Sequence, residues 1–63
     1  MQYYPVYLNL VGRRCIVIGG GVIAEGKVKN LLEAEASVFV VAPQLTRALR
    51  RLRDDMRISH VPR

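Results

Sequence analysis

The chain has one cysteine, Cys15, and one histidine, His60. A single cysteine excludes an internal disulfide framework, and a single histidine beside it makes no metal set. No Ser/His/Asp group, no pair of catalytic carboxylates and no zinc-ligand spacing occurs either. Long apolar runs are missing too: the uncharged residues 15–24 are broken by three glycines, far short of the ~20 residues that cross a bilayer. The opening Met1-Gln2-Tyr3-Tyr4-Pro5 has neither the basic start nor the apolar stretch of a secretory signal. A cytoplasmic setting with a reduced Cys15 is the default expectation. Length is also short, 63 residues and 7.1 kDa, against about 100–150 for a typical domain. A chain of this size buries roughly 60% of its unfolded surface and usually leans on disulfides, a metal or a partner. With the first two excluded, the 51% apolar content suits strands buried on both faces inside a larger unit. Residues 1–63 are therefore expected to be part of a domain.

Positive charge is plentiful but unevenly placed. The net charge is +5, and residues 44–63 carry most of it: Arg47, Arg50, Arg51, Arg53, Arg57 and Arg63 face only Asp54 and Asp55. An electrostatic partner argument concerns this last third alone.

Apolar periodicity lays out the elements. Pro5 holds Tyr4 extended, and Leu8, Leu10 and Val11 of this lead-in can fold onto a nearby core. Cys15-Ile16-Val17-Ile18 is an unbroken run of β-formers, as in a strand buried on both faces. From Val22 the period becomes helical, with Ile23, Ala24, Val28, Leu31 and Leu32 on one stripe, to about Glu35. Ser37-Val38-Phe39-Val40-Val41-Ala42 reads as a second buried strand, stopped by Pro43. Thr46 suits an N-cap, and Leu45, Leu49, Leu52 and Met56 share one face of a second helix. Arg57-Ile58-Ser59-His60-Val61 reads as a third strand. This alternation predicts an α/β fold: the N-terminal β-α-β-α-β part of a Rossmann-type parallel sheet with right-handed crossovers.

The residues that carry chemistry are Gly19-Gly20-Gly21-Val22-Ile23-Ala24, directly after a strand and opening a helix. They fit G-x-G-x-x-A with Gly19, Gly21 and Ala24 at the key places. Gly19 permits the sharp turn out of the strand. Gly21 lets a diphosphate approach the backbone, and Ala24 lets the helix sit tightly on the strand. Amides around Gly21, Val22 and Ile23 then face the anion at the positive end of the helix dipole. The motif alone is weak, and a purely structural tight turn is its rival. The context, with a second strand ending about 20 residues on, favours dinucleotide binding. An acid that would hold ribose hydroxyls is missing at that strand end, where Pro43 and Gln44 stand; Gln44 can donate or accept instead. Arg47 nearby raises NADP as the alternative to NAD.

Taken together, Tyr4-Pro5-Val6-Tyr7-Leu8-Asn9-Leu10, Gly12-Arg13, the strand and triple glycine through Ala24, Lys27, Leu31-Leu32-Glu33-Ala34 and Val40-Val41-Ala42-Pro43 resemble the N-terminus of the siroheme synthase family. The resemblance is to its precorrin-2 dehydrogenase/sirohydrochlorin ferrochelatase module, closely over residues 3–44 and loosely beyond. It implies a Rossmann-type NAD domain followed by a dimerisation domain, a homodimer, and NAD-dependent oxidation of precorrin-2 to sirohydrochlorin. In bifunctional members Fe²⁺ is inserted, as a substrate, to give siroheme. The family also lacks an acid at the second strand end. An aspartate beyond the third strand is implicated in the family's chemistry and has no counterpart in these residues, so the chain alone is expected to be inactive. Carried over by position, the cofactor contacts are Val22, Ile23, Pro43 and Gln44, beside Gly19, Gly20, Gly21 and Ala24 of the turn. Two departures stand out: Gly26 where the family commonly has arginine, and Glu35 where it commonly has glycine.

Other features have plainer readings. The arginines read as the solvated outer face of the second helix, with no aromatic among them to stack bases; neither nucleic acid nor membrane is an expected partner. Cys15 reads as a small core residue, His60 as structural, and Tyr3, Tyr4 and Tyr7 as a cluster against a sheet edge or dimer partner. A non-catalytic nucleotide-binding regulatory domain is the alternative function.

Overall fold

In a computed structural model of the chain, residues 10–63 are described; the tyrosine cluster and most of the lead-in lie outside them. The order is β1 (Arg14–Ile18), α1 (Val22–Glu33), β2 (Ser37–Val41), α2 (Arg47–Asp54) and β3 (Ser59–Val61). The three strands form one parallel sheet in the order β1-β2-β3. Val17 pairs with Val40, and Val40 with His60. This is the β-α-β-α-β arrangement expected from the alternation of periods.

Because the strand order advances in one direction, right-handed crossovers put both helices over the same face of the sheet. That face carries the core. Val17, Val38, Val40 and Ala42 meet Ala24 and Val28 of α1, Leu49 of α2, and Ile58 ahead of β3. Val28, Val40 and Leu49 are fully buried. Cys15, on the Val17 side of β1, is a half-buried free thiol packed against this cluster, as a small core residue would be.

On the opposite face no described element covers β1, whose burial on both sides is an expectation for the larger unit. Ile16 and Ile18 are 68% and 84% exposed, since no described element covers them. Ile23 also leaves the expected stripe, at 80% exposure. Its helical neighbours at i+4 and i+7, Lys27 and Asn30, are exposed as well, so that column lies on the outer flank of α1. Val11 is exposed too, while Leu10 packs against the core.

Both helices end in the same way. After α1, Glu35 takes a left-handed φ of 62°, its N–H bonds to Leu32 O at 2.9 Å, and Ala36 N–H bonds to Leu31 O at 3.0 Å. After α2, Met56 has φ 61°, with Met56 N–H to Arg53 O at 2.9 Å and Arg57 N–H to Leu52 O at 2.8 Å. Each is a Schellman closure, the seat usually given to glycine. Met56 is consequently 90% exposed and does not share the buried face of Leu45, Leu49 and Leu52, contrary to the helical spacing. At the start of α2, Thr46 is the N-cap as expected, its hydroxyl accepting from Leu49 N–H at 3.3 Å. His60 is structural, as expected. Its Nε2 donates to Ala42 O at 2.8 Å, tying β3 to the end of β2.

Candidate active site: the glycine crevice

The carboxyl ends of β1 and β2 open into a crevice of about 610 Å³ whose walls include Gly19, Gly20, Gly21, Pro43, Gln44 and Arg63. Strand ends of a parallel sheet are where such folds take ligands. The three glycines have separate roles. Gly19 has φ 112°, a region that side chains rarely enter, and its N–H bonds to Val41 O at 2.9 Å. The chain thus turns sharply while still held to β2.

Gly20 is the close-approach residue. A Cβ there would overlap the Gln44 carbonyl oxygen and come within 3.0 Å of the Ala42 Cβ. Its own carbonyl accepts from Thr46 N–H at 3.1 Å. The β1–α1 turn and the β2–α2 loop are therefore fastened to each other through the one glycine to which the motif assigns no role.

Gly21 is the N-cap of α1, in extended backbone at φ −90° and ψ −167°, with no side-chain cap. A Cβ at this position would meet nothing within 4 Å. The first-turn amides, which no intrahelical carbonyl satisfies, keep their donors for an incoming group. Sequence reasoning reserves this open space for a diphosphate, and the geometry leaves it open. Ala24, at 6% exposure, belongs to the core and gives α1 its seat on β1. Val22 and Ile23 are exposed at the helix start, and Pro43 and Gln44 are exposed at the end of β2. Gly19, Gly20, Gly21, Pro43 and Gln44 thus line the crevice, while Val22, Ile23 and Ala24 border an adjoining space of about 400 Å³ that shares Gly19 and Gly21 with it.

Residues 6–62 match the family model described as "Putative NAD(P)-binding". The chain belongs to this NAD(P)-binding family. Among the curated relatives, the siroheme synthase of Nitrosococcus oceani is 44% identical over 59 residues, 94% of this chain and 13% of that protein. The siroheme synthase of Thioalkalivibrio sulfidiphilus is 43% identical over 63 residues, 100% of this chain and again 13% of the relative. A solved structure of "SirC, precorrin-2 dehydrogenase" superposes with a TM-score of 0.89 at 31% identity, over 97% of this chain and 31% of that one. The resemblance to siroheme synthases drawn from the sequence is borne out. The chain spans about an eighth of the length of the siroheme synthases it matches.

For a member of an NAD(P)-binding family, the crevice has fitting chemistry. It offers a glycine turn, unsatisfied amides at a helix N-terminus, and a strand end without a carboxylate. Membership and the dehydrogenase neighbour support a nicotinamide dinucleotide as cofactor. Among the described residues no group of His, Cys, Asp and Glu could hold a metal ion, and no helix is long and apolar enough to cross a membrane.

The structure sorts the arginines, which sequence can only count. Arg47, Arg51 and Arg57 line a groove of about 1010 Å³ between α1 and α2, so Arg47 does not border the crevice as its nearness to Gln44 suggests. Arg63 lines the crevice itself. Arg50 and Arg53 lie beside Pro43 and Gln44 with His60. No sequence signal marks Arg63. Gly20 is foreshadowed only by the glycine run being three long.

Proposed function

We propose that this chain is the dinucleotide-binding part of a precorrin-2 dehydrogenase of siroheme biosynthesis, a cytoplasmic homodimer that uses NAD to oxidise precorrin-2 to sirohydrochlorin. Residues 1–63 would be the opening part of its Rossmann domain. A dimerisation domain and the aspartate expected beyond the third strand would complete the enzyme. The observation that carries this reading is the Gly19-Gly20-Gly21 turn, bent at Gly19, fastened at Gly20 and open at Gly21, in a chain superposing on SirC at a TM-score of 0.89.

The residues' work follows from their places. Amides of the first turn of α1 bind the diphosphate, aided by the helix dipole. Val22 and Ile23 offer exposed apolar surface beside it, and Pro43 and Gln44 meet the ribose end. Gln44 exchanges hydrogen bonds with hydroxyls without adding charge. NAD, when bound, supplies the hydride acceptor, and the protein orients it against the substrate. Since half of such a site is substrate-facing, residues 1–63 alone would not turn over precorrin-2. Sirohydrochlorin is the product of the oxidation, and in a bifunctional enzyme it then takes up Fe²⁺ as second substrate.

The test uses the full-length protein, with precorrin-2 and NAD, following absorbance of reduced nicotinamide. Substrate-dependent reduction that Gly21→Ala lowers by about tenfold or more supports the proposal. NAD binding without any oxidation of precorrin-2 sinks it and favours a regulatory nucleotide-binding domain.

A further inference from the structure

The loop between β2 and α2, which forms one wall of the crevice, is held only at its two ends. At its start, Ala42 donates to Val61 O at 3.1 Å and accepts from His60 Nε2 at 2.8 Å, so both its backbone groups are tied to β3. Pro43, Gln44 and Leu45 then make no hydrogen bond to any described residue. The far end is Thr46. Its N–H donates to Gly20 O at 3.1 Å, its hydroxyl accepts from Leu49 N–H at 3.3 Å, and its carbonyl accepts from Arg50 N–H at 2.9 Å. The last two bonds belong to α2, whose Leu49 is fully buried in the core. The first belongs to the glycine turn. Helix, loop and turn are therefore joined at Thr46, which lines the crevice as well.

The two walls receive different parts of one ligand: the diphosphate lies at Gly21 and the first-turn amides of α1, and the ribose end at Pro43 and Gln44. A nucleotide that must satisfy both walls at once binds more tightly when their separation is set beforehand, because ordering a loose loop on binding is subtracted from affinity. We propose that Thr46 is a positioning residue for the nucleotide, holding the Gln44 loop at the separation from the glycine turn that a nucleoside diphosphate spans. The inference rests on the dinucleotide reading of the crevice and deepens it. Two parts of the residue can be removed in turn. Thr46→Ala deletes the cap hydroxyl and keeps the N–H. Thr46→Pro deletes the N–H as well, at a residue whose φ of −66° is the angle that a proline ring holds.

The experiment is calorimetric titration of the full-length protein with 5′-ADP, reading affinity and number of sites separately, on variants shown by circular dichroism to be folded. Thr46→Pro should bind about tenfold or more weakly, Thr46→Ala about threefold more weakly and Thr46→Ser within about twofold of the parent, all with the number of sites unchanged. Affinity of Thr46→Pro within about twofold of the parent overturns the positioning role and leaves the crevice reading standing. Fewer sites at unchanged affinity also overturns it, since a lost cap that only unfolds part of the protein has that signature. Should Thr46→Pro not fold, the other two variants decide: weaker binding by Thr46→Ala that Thr46→Ser restores supports the role, and equal affinity of both with the parent overturns it. Absence of 5′-ADP binding to the unaltered protein overturns the crevice reading and the positioning role together.

Discussion

Substituting alanine singly at Gly19, Gly20 and Gly21 should separate three physical roles within three consecutive residues. At Gly20 the new methyl group overlaps backbone, the Gln44 carbonyl, and touches the Ala42 Cβ at 3.0 Å. Neither neighbour is a flexible side-chain tip, so the β2–α2 loop must move. Overpacking of this kind costs about 1–3 kcal/mol, and displacement of the loop also gives up the 3.1 Å bond from Thr46 N–H to Gly20 O, worth about 1 kcal/mol. A loss of about 2–4 kcal/mol is a large share of a small domain's stability. Gly19→Ala has open space around the Cβ but must hold φ 112°, at about 1–3 kcal/mol. Gly21→Ala has neither problem: its backbone is extended and its Cβ site is empty. Its stability cost is that of a poorer N-cap, about 1 kcal/mol. The same methyl group stands where the nucleotide must approach, so affinity should fall about tenfold or more. Urea unfolding of the full-length variants, followed by circular dichroism, gives the stability order, and calorimetry with 5′-ADP gives affinity. The reasoning fails if Gly20→Ala unfolds within about 0.5 kcal/mol of the parent, or if Gly21→Ala binds nucleotide unchanged.

Three further outcomes follow from the packing, each readable as a shift in urea midpoint at constant slope. Gly26 lies inside α1 with nothing within 4 Å of its Cβ site, so Gly26→Ala should stabilise by about 1 kcal/mol. Glu35→Gly should stabilise by about 1 kcal/mol, because the Schellman closure holds a side chain at φ 62° where glycine has no steric cost; destabilisation would mean that the Glu35 side chain makes a stronger contact than the strain it bears. Leu49→Ala should cost about 2–5 kcal/mol, since Leu49 is fully buried and belongs to the shared core; a cost under about 1 kcal/mol would show that α2 is not packed on the sheet through this residue.

Whatever depends on neighbours in sequence is legible from the residues alone. Strand, glycine turn and helix follow from local periodicity, and Thr46 announces α2 by its position ahead of an apolar stripe. The points that periodicity misjudges are non-local or lack their usual marker. It runs the helices too far because Glu35 and Met56 occupy left-handed seats normally signalled by glycine. It marks Ile16 and Ile18 for burial without naming what covers them, because a continuous apolar run says how greasy a strand is, not which element lies on each face; no described element covers this one. Gly20 cannot be singled out, since its constraint is the Gln44 carbonyl on another loop. The arginines sharpen the point. A helical wheel drawn on the sequence puts Arg47 with Arg51 and Arg50 with Arg53 on opposite flanks of the Leu49 and Leu52 stripe. What the wheel cannot say is which flank faces the strand ends. That follows only once Leu49 is buried in the core shared with Val28 and Val40 and α2 is anchored at Thr46 to Gly20. The burial of Leu49 and the contact that fastens the glycine turn thus act together to put Arg50 and Arg53 beside Pro43 and Gln44.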